Sequence, residues 1–315
     1  MNILFIVDPL ASFKIKKDTS FAMMREAQKR GHQVSACEVP HMQWQRGECV
    51  KAHVQDLRLT GHAPSWYEVT ASRDAWLKDF DAIIMRKDPP FDNEYLYSTY
   101  LLEIAANQGA KVFNNPAAIR GWNEKLSVTR FPQFAPEFLV TANNFLLRDF
   151  LHTHQDIVVK PLDGMGGSSI FRLTLNDPNI SVILETITAH GTRTIMAQRY
   201  LPEILQGDKR IIVINGEPLP YALARIPLAG ETRGNLAAGG TGVAQPLSSR
   251  DYEIATTVGK TLKQEGLFLV GLDVIGDHLT EINVTSPTGM VEIAAQTDCN
   301  PAGIMLDALE LHFAQ

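Results

Sequence analysis

Cysteine is scarce in this 315-residue chain: Cys37, Cys49 and Cys299 are odd in number and show no paired spacing. That argues against both a disulfide framework and a zinc site, and a reducing cytoplasm is the expected location. Basic charge is also in short supply. The 29 Lys and Arg stand against 35 Asp and Glu, for a formal net charge of -6. The basic excess that neutralises nucleic-acid phosphates is missing, so nucleic acid is not expected as a partner. The apolar opening Ile3-Leu4-Phe5-Ile6-Val7 follows no basic segment and stops at Asp8-Pro9. It is too short for a signal peptide or a membrane span and reads as a buried parallel strand, so no membrane partner is expected either. Internal repeats and low-complexity tracts are absent.

What is present suits a soluble globular protein, with 45% hydrophobic and 20% charged residues. A chain of 315 residues exceeds the usual size of one core, so two or three lobes around a shared cleft are expected. In the first third, strands at 3–7, 34–39, 81–85 and 111–113 alternate with helices at 18–30 and 93–108, with Asp18 as an N-cap and Gly31 and Gly109 as stops. This alternation predicts an open parallel sheet. Residues 41–78 sustain no period and are expected to be irregular, with short hairpin strands. From Pro116 the pattern becomes a small α+β lobe: a helix at 123–130, a strand at 138–141, a helix at 143–152, strands at 157–160 and 169–173, and a helix at 178–189. Strands follow at 195–200, 209–214 and 217–226, the last two joined by Asn215-Gly216, a strong hairpin signal. A loop rich in Gly and Ala runs to Gly242, then a helix at 248–264, strands at 267–275 and 278–283, and a terminal helix after Pro301. The expected class is α/β and α+β, with boundaries at 1–120, 121–200 and 201–315.

Four features carry chemistry. The first is Lys160-Pro161-Leu162-Asp163-Gly164-Met165-Gly166-Gly167-Ser168-Ser169, a strand ending in lysine that enters a glycine-rich turn. Glycines let backbone N–H groups approach an oxyanion, and the lysine adds a point charge for phosphates. It is neither a Walker A loop nor a dinucleotide fingerprint, and alone it would be an ordinary hairpin turn. The second is Asp273 on one apolar strand with Glu281 and Asn283 on the next. Alternation puts Glu281 and Asn283 on one face, hairpin pairing brings Asp273 to that face, and Leu272, Val274, Ile282 and Val284 mark the other as core. Two carboxylates and an amide, completed by waters and phosphate oxygens, are a set that magnesium prefers. The third is Arg210, Arg225 and Arg233, read together as lining an anionic cleft suited to phosphoryl transfer. The fourth is the glycine-rich segment from Gly230 to Gly242, read as a lid that keeps water from a reactive intermediate.

These features, in this order, resemble the bacterial glutathione synthetases, and the likeness covers essentially the whole chain. The specific strings are Met85 to Asp92 (MRKDPPFD), Asn123-Glu124-Lys125-Leu126, the Lys160 to Ser169 loop, Ala224-Arg225-Ile226-Pro227, Thr232 to Gly240, and Leu279 to Thr288 (LTEINVTSPT). The resemblance implies an N-terminal open parallel-sheet (pre-ATP-grasp) lobe followed by a two-lobed ATP-grasp fold, with a catalytic lid at 226–242. It implies that Lys125, Lys160 and the glycines Gly164, Gly166 and Gly167 meet the ATP phosphates, that Gln198, Tyr200 and Leu201 form the adenine hinge, and that Asp208 meets the ribose. Asp273, Glu281 and Asn283 would hold two Mg2+ ions, with Mn2+ able to substitute. Arg210 and Arg225 would stabilise the transferring phosphoryl group, with Arg233, Asn235 and Gly240 acting from the lid. Arg86, Ser286 and Thr288 would hold the peptide substrate.

The implied reaction joins γ-glutamylcysteine to glycine through an acyl phosphate, giving glutathione, ADP and phosphate in the cytoplasm, and the implied assembly is a homotetramer. Thr241 and Val291 stand where close relatives carry basic residues, and Asp298 to Pro301 departs from the pattern. These differences touch substrate grip more than ATP chemistry. D-alanine-D-alanine ligases and ribosomal-protein glutamate ligases share the ATP and metal arrangement, and a non-catalytic nucleotide-binding regulator is a further alternative.

Overall fold

The computed structural model describes every residue except 62–64, 229, 232–233, 235, 237–238 and 314–315. Its strands form three sheets lying in successive stretches of the chain. The first contains β1 (Asn2–Ile6), β2 (Gln33–Cys37), β3 (Met42–Gln43), β4 (Lys51–Leu59), β5 (Tyr67–Trp76), β6 (Ala82–Met85) and β7 (Val112–Phe113), in the order β3-β4-β2-β1-β6-β7 with β5 outside β4. The pairs β1–β2, β1–β6 and β6–β7 are parallel. Helices cover both faces: α1 (Thr19–Lys29), α2 (Asn93–Asn107) and, from the C-terminus, α8 (Pro301–Phe313). Strand β1 therefore divides its side chains between two cores. Leu4 and Ile6 pack with Leu102 and Ala105 of α2, while Ile3 and Phe5 pack with Met23 of α1 and Leu306 of α8.

The parallel sheet is as expected from the alternation of elements, but the irregular region expected at 41–78 is a long antiparallel hairpin. β4 and β5 run for nine and ten residues. β4 buries Ala52, Val54, Leu57 and Leu59, with a bulge between Asp56 and Leu57 interrupting the period. β5 pairs only with β4 and is exposed over most of its length, so it carries no inward apolar row for a pattern to reveal.

The second sheet contains β8 (Phe138–Thr141), β9 (Asp156–Pro161), β10 (Phe171–Thr174) and β11 (Ile195–Arg199), backed by α4 (Asn144–His154) and α5 (Ile180–Ile187). The helix expected at 123–130 is a short 3-10 turn at Leu126–Arg130, preceded by α3 (Pro116–Gly121). Asn123 Oδ1 accepts from Lys125 N and Leu126 N, a local side-chain bond that competes with helix at this point.

The third sheet contains β12 (Asp208–Ile214), β13 (Glu217–Ile226), β14 (Thr241–Pro246), β15 (Leu269–Ile275) and β16 (His278–Asn283), in the order β14-β13-β12-β15-β16. Asn215 and Gly216 both take positive φ, 49° and 88°, the two-residue turn read from the sequence. β14 begins inside the stretch expected to be loop, since its exposed, Gly-containing sequence hides an edge strand. α6 (Ser249–Gln264) starts with a Ser248 capping box, and α7 (Met290–Gln296) is too short for a period to show.

One buried side chain stitches the first and third sheets. Asn114 Oδ1 accepts from Phe268 N and Leu269 N at 2.6 and 2.8 Å, and its Nδ2 donates to the carbonyls of Leu269 and Val284 at 2.9 and 2.8 Å. All four positions of the amide are filled, so the register between the two sheets is fixed.

Candidate active site

A cleft of about 1640 Å³, including its open mouth, lies between the second and third sheets and reaches the loop after β16. Its walls hold Lys125, Lys160, Gly164, Gly166, Gly167, Gln198, Tyr200, Leu201, Asp208, Arg210, Arg225, Asp273, Glu281, Asn283, Ser286 and Thr288, all singled out in the sequence. Among the described residues the lining charges balance: Lys125, Lys160, Arg199, Arg210 and Arg225 against Asp88, Glu124, Asp208, Asp273 and Glu281.

Sheet register assembles the acidic group. Asp273 on β15 faces Glu281 on β16, and Gly271 faces Asn283. Leu272, Val274, Ile282 and Val284 are fully buried on the other side, as their alternation predicts. Asn283 Nδ2 donates to the Gly271 carbonyl at 3.1 Å, which turns the amide oxygen the other way. No cluster of three or more His, Cys, Asp or Glu side chains arranged for a metal occurs among the described residues. The oxygens here, two carboxylates and an amide, are hard donors that need phosphate oxygens or waters to complete an octahedron, the pattern in which magnesium usually binds.

The cations surround these oxygens. Arg210 Nε and Nη2 donate to Asp273 Oδ1 and Oδ2 at 2.5 and 3.1 Å. Arg225 Nη2 lies 2.8 Å from Asp273 Oδ2 and 2.6 Å from Asp208 Oδ2. Burial works against the Asp273 charge, but the two guanidiniums outweigh it and hold the carboxyl well below the usual range. Asp208 is pushed up to about 6, first by burial, against the pull of Arg225. Its Oδ1 is buried without a partner, as is Gln198 Nε2 across the same cleft. Unsatisfied polar atoms of this kind in a cleft wall mark places where a polar ligand binds.

Lys125 Nζ donates to Glu281 Oε1 at 3.1 Å and to the Gly164 carbonyl at 2.7 Å, tying the metal-type strand to the glycine loop. Burial disfavours its charge, yet Glu281 more than compensates and raises it. Lys160 Nζ donates to the Thr280 carbonyl at 3.1 Å, and burial pushes it down to about 8.

Three sequence-derived candidates fall elsewhere. Arg233 and Asn235 lie outside the described residues. Gly240 is described but does not line the cleft, whereas Gly234 and Leu236 do. A side chain on Gly234 would meet the Arg225 carbonyl at 2.3 Å, so only glycine lets this segment lie against β13.

Arg86 sits beneath the cleft wall rather than in it. Its Nε donates to Ser20 Oγ at 3.0 Å and its Nη2 to the Pro287 carbonyl at 2.9 Å, so it meets the loop after β16 from behind. Glu124 was not assigned a role from the sequence, although it lies in the Asn123 to Leu126 string, and it lines the cleft. Burial raises its carboxyl, and the charge of Glu281 adds to that rise.

Comparison with known proteins identifies the family. Residues 1–120 match the model of the prokaryotic glutathione synthetase N-terminal domain, and residues 124–298 that of the prokaryotic glutathione synthetase ATP-grasp domain. A glutathione synthetase of Nitrosomonas europaea is 58% identical over 318 residues, covering 100% of this chain and 99% of the relative. One from an O6:H1 strain of Escherichia coli is 52% identical over 310 residues, 98% of each chain. Among solved structures, D-cycloserine synthetase DcsG aligns with a TM-score of 0.66 at 14% identity over 99% of each chain. The ATP-grasp ligase PsnB, complexed with precursor peptide PsnA2 and AMPPNP, aligns with a TM-score of 0.63 at 17% identity, covering 100% of this chain and 99% of PsnB. Those two likenesses speak for the fold alone. Full-length matches above half identity, together with both domain models, show that the chain is an ATP-dependent ligase and belongs to the prokaryotic glutathione synthetases.

Proposed function

We propose that the chain joins γ-glutamylcysteine to glycine at the expense of ATP, with the cleft between the second and third sheets as the reaction site. The observation that carries this reading is the convergence of Lys125, Lys160, Arg210 and Arg225 on Asp273, Glu281 and Asn283 in one cleft of a chain from this family. The division of labour we infer gives residues 1–120 the peptide side and residues 121–200 and 201–315 the nucleotide, with 226–242 as the lid. Three unpaired thiols, Cys37, Cys49 and Cys299, agree with a reducing cytoplasm, and no described helix is long and apolar enough to cross a membrane.

In the first step a cysteinyl carboxylate oxygen attacks the γ-phosphorus, the bond to the β,γ-bridging oxygen breaks, and ADP leaves. In the second, the neutral amine of glycine adds to the acyl-phosphate carbonyl and phosphate departs as the nitrogen gives up its proton. Lys125 and Lys160 place positive charge on the phosphates, and Arg210 and Arg225 meet the charge that develops between nucleotide and carboxylate. Gln198, Tyr200 and Leu201 border the adenine, and the unpartnered Gln198 Nε2 is a donor for it. Asp273, Glu281 and Asn283 would hold magnesium, which supplies Lewis-acid polarisation of phosphate oxygens. The balanced lining charges among the described residues support this assignment, because walls that offer a polyanionic nucleotide no net positive charge leave its neutralisation to divalent cations and the lid. The scattered thiols take no part.

ADP release by the purified protein is expected to require magnesium, γ-glutamylcysteine and glycine together. Equal release when both amino-acid substrates are omitted would sink the ligase reading.

Lys160 gives this site a pH signature. A lysine depressed to about 8 loses its proton as pH rises through that value in the empty cleft, while bound phosphates restore its hold on the proton. Nucleotide affinity should therefore fall as pH climbs from about 8 toward 10, by as much as about tenfold per unit. For stability the sign is opposite: the buried ammonium weakens the empty fold below about 8, and that penalty is relieved between there and the ordinary 10.5. Calorimetric titration with ADP across this range checks the first effect, and Lys160→Met should flatten it.

A further inference from the structure

The loop that leaves β16, residues 284–288, belongs to no helix or strand, yet it forms the cleft wall through Thr285, Ser286 and Thr288. Val284 is fully buried and Thr285 nearly so, and buried backbone groups in an irregular segment must find partners outside regular structure. Glu124 provides them. Its Oε1 accepts from Val284 N at 3.0 Å, from Thr285 N at 3.2 Å and from Thr285 Oγ1 at 2.8 Å. Its own carbonyl accepts from Ile282 N at 2.8 Å, which docks the end of β16 onto the same residue. Three donors on one carboxylate oxygen form a charge-assisted anchor, stronger than neutral bonds.

Further along, the loop is held by other groups. Arg86 Nη2 donates to the Pro287 carbonyl, Ser286 Oγ donates to the Arg86 carbonyl, and Arg210 Nη1 reaches the Thr288 carbonyl at 3.4 Å. Among the described residues only Glu124 fixes the first two residues by their N–H groups. Its neighbour Lys125 has Glu281 and the Gly164 carbonyl as hydrogen-bond anchors of its own and Asn123 caps its amide, and Glu124 acts on it only through its charge, behind Glu281. Glu124 thus holds the loop by direct bonds, while the hydrogen bonds that place the phosphate-facing lysine come from elsewhere.

We infer that Glu124 is a positioning residue for the carboxyl-donor substrate: by pinning Val284 and Thr285 it sets where Ser286 and Thr288 meet γ-glutamylcysteine, and so governs grip on the peptide rather than on ATP. The inference rests on the ligase reading above. If the unaltered protein shows no ADP release dependent on γ-glutamylcysteine, that reading fails, whereas the variants below test Glu124 on an active enzyme.

Steady-state kinetics of Glu124→Ala should show the KM for γ-glutamylcysteine raised by roughly 10- to 100-fold, the scale that an ångström of misplacement produces, with the KM for ATP nearly unchanged. Glu124→Gln keeps an oxygen that accepts the same three donors and should restore most of the lost grip. Thr285→Val removes only the hydroxyl donor and should shift the same KM in the same direction by less, which keeps the inference testable if the alanine variant does not fold. An unchanged KM for γ-glutamylcysteine in Glu124→Ala or Thr285→Val overturns it. So does a glutamine variant as impaired as the alanine one, or a parallel rise in both KM values accompanied by a lower melting temperature.

Discussion

Glu281→Gln is expected to lower kcat by about a thousandfold, the largest effect of any conservative change in the cleft. Glutamine keeps the shape and one acceptor oxygen but loses the charge that faces Asp273 across the β15–β16 pair. Two contributions are lost together. The oxygen set proposed for magnesium would drop from two carboxylates to one, and a bound divalent ion supplies several kcal/mol of transition-state stabilisation. About 4 kcal/mol converts to roughly three decades in rate. Lys125 also loses the carboxylate 3.1 Å away that raises its proton affinity. Turnover at saturating magnesium measures the first loss. Mn2+ binding followed by water-proton relaxation, without any turnover, should show the affinity weakened; wild-type Mn2+ affinity together with undiminished kcat would mean that Glu281 is not a metal ligand.

Arg225→Met should be costly in a different way, because this guanidinium serves two carboxylates at once. Its Nη2 lies 2.6 Å from Asp208 and 2.8 Å from Asp273, and all three side chains are largely buried. Removing one member of a buried pair leaves an uncompensated charge, a loss of about 3–5 kcal/mol in stability. Asp273 keeps Arg210, so Asp208 is the group left exposed to the penalty, and its carboxyl should take up a proton more readily still. Denaturant unfolding of the ligand-free protein measures the cost. Adding Asp208→Asn to the same chain should recover much of the stability and none of the turnover, since the positive charge proposed to meet the transferring phosphoryl group is still missing. Recovery of both would show that Arg225 serves only to hold the fold.

Much of this site was legible because its logic is geometric. Alternation along two strands and a short turn sufficed to put Asp273, Glu281 and Asn283 on one face, and the register agrees. The cap at Asp18 was equally readable: it accepts from Phe21 N. Edge strands were not. β5 and β14 bury little, so their sequences carry no apolar row, and their pairing depends on a neighbour that local pattern cannot reveal. The likeness of the Met85 to Asp92 string assigns Arg86 to the substrate but does not show its direction; tertiary packing turns its Nε and Nη2 toward Ser20 and Pro287. Glu124 was hidden for a related reason, since the donors that give it a role lie 160 positions or more further along the chain.

The four bonds of Asn114 reach beyond sheet register. They weld the first sheet to the third, and the apolar clusters there mix residues from both, Leu4 with Val274 and Ile3 with Ile212. The second sheet keeps a cluster of its own, whose buried members run from Leu147 to Ala197, while Met196 on β11 joins the cluster that holds Leu4 and Val274. Mechanically the first and third sheets make one block, and the second sheet, which carries Lys160 and the glycine loop, meets that block's apolar core chiefly through Met196, with Val140 and Leu162 packed against it. A shift of the second sheet would therefore disturb far fewer apolar contacts than parting the first sheet from the third.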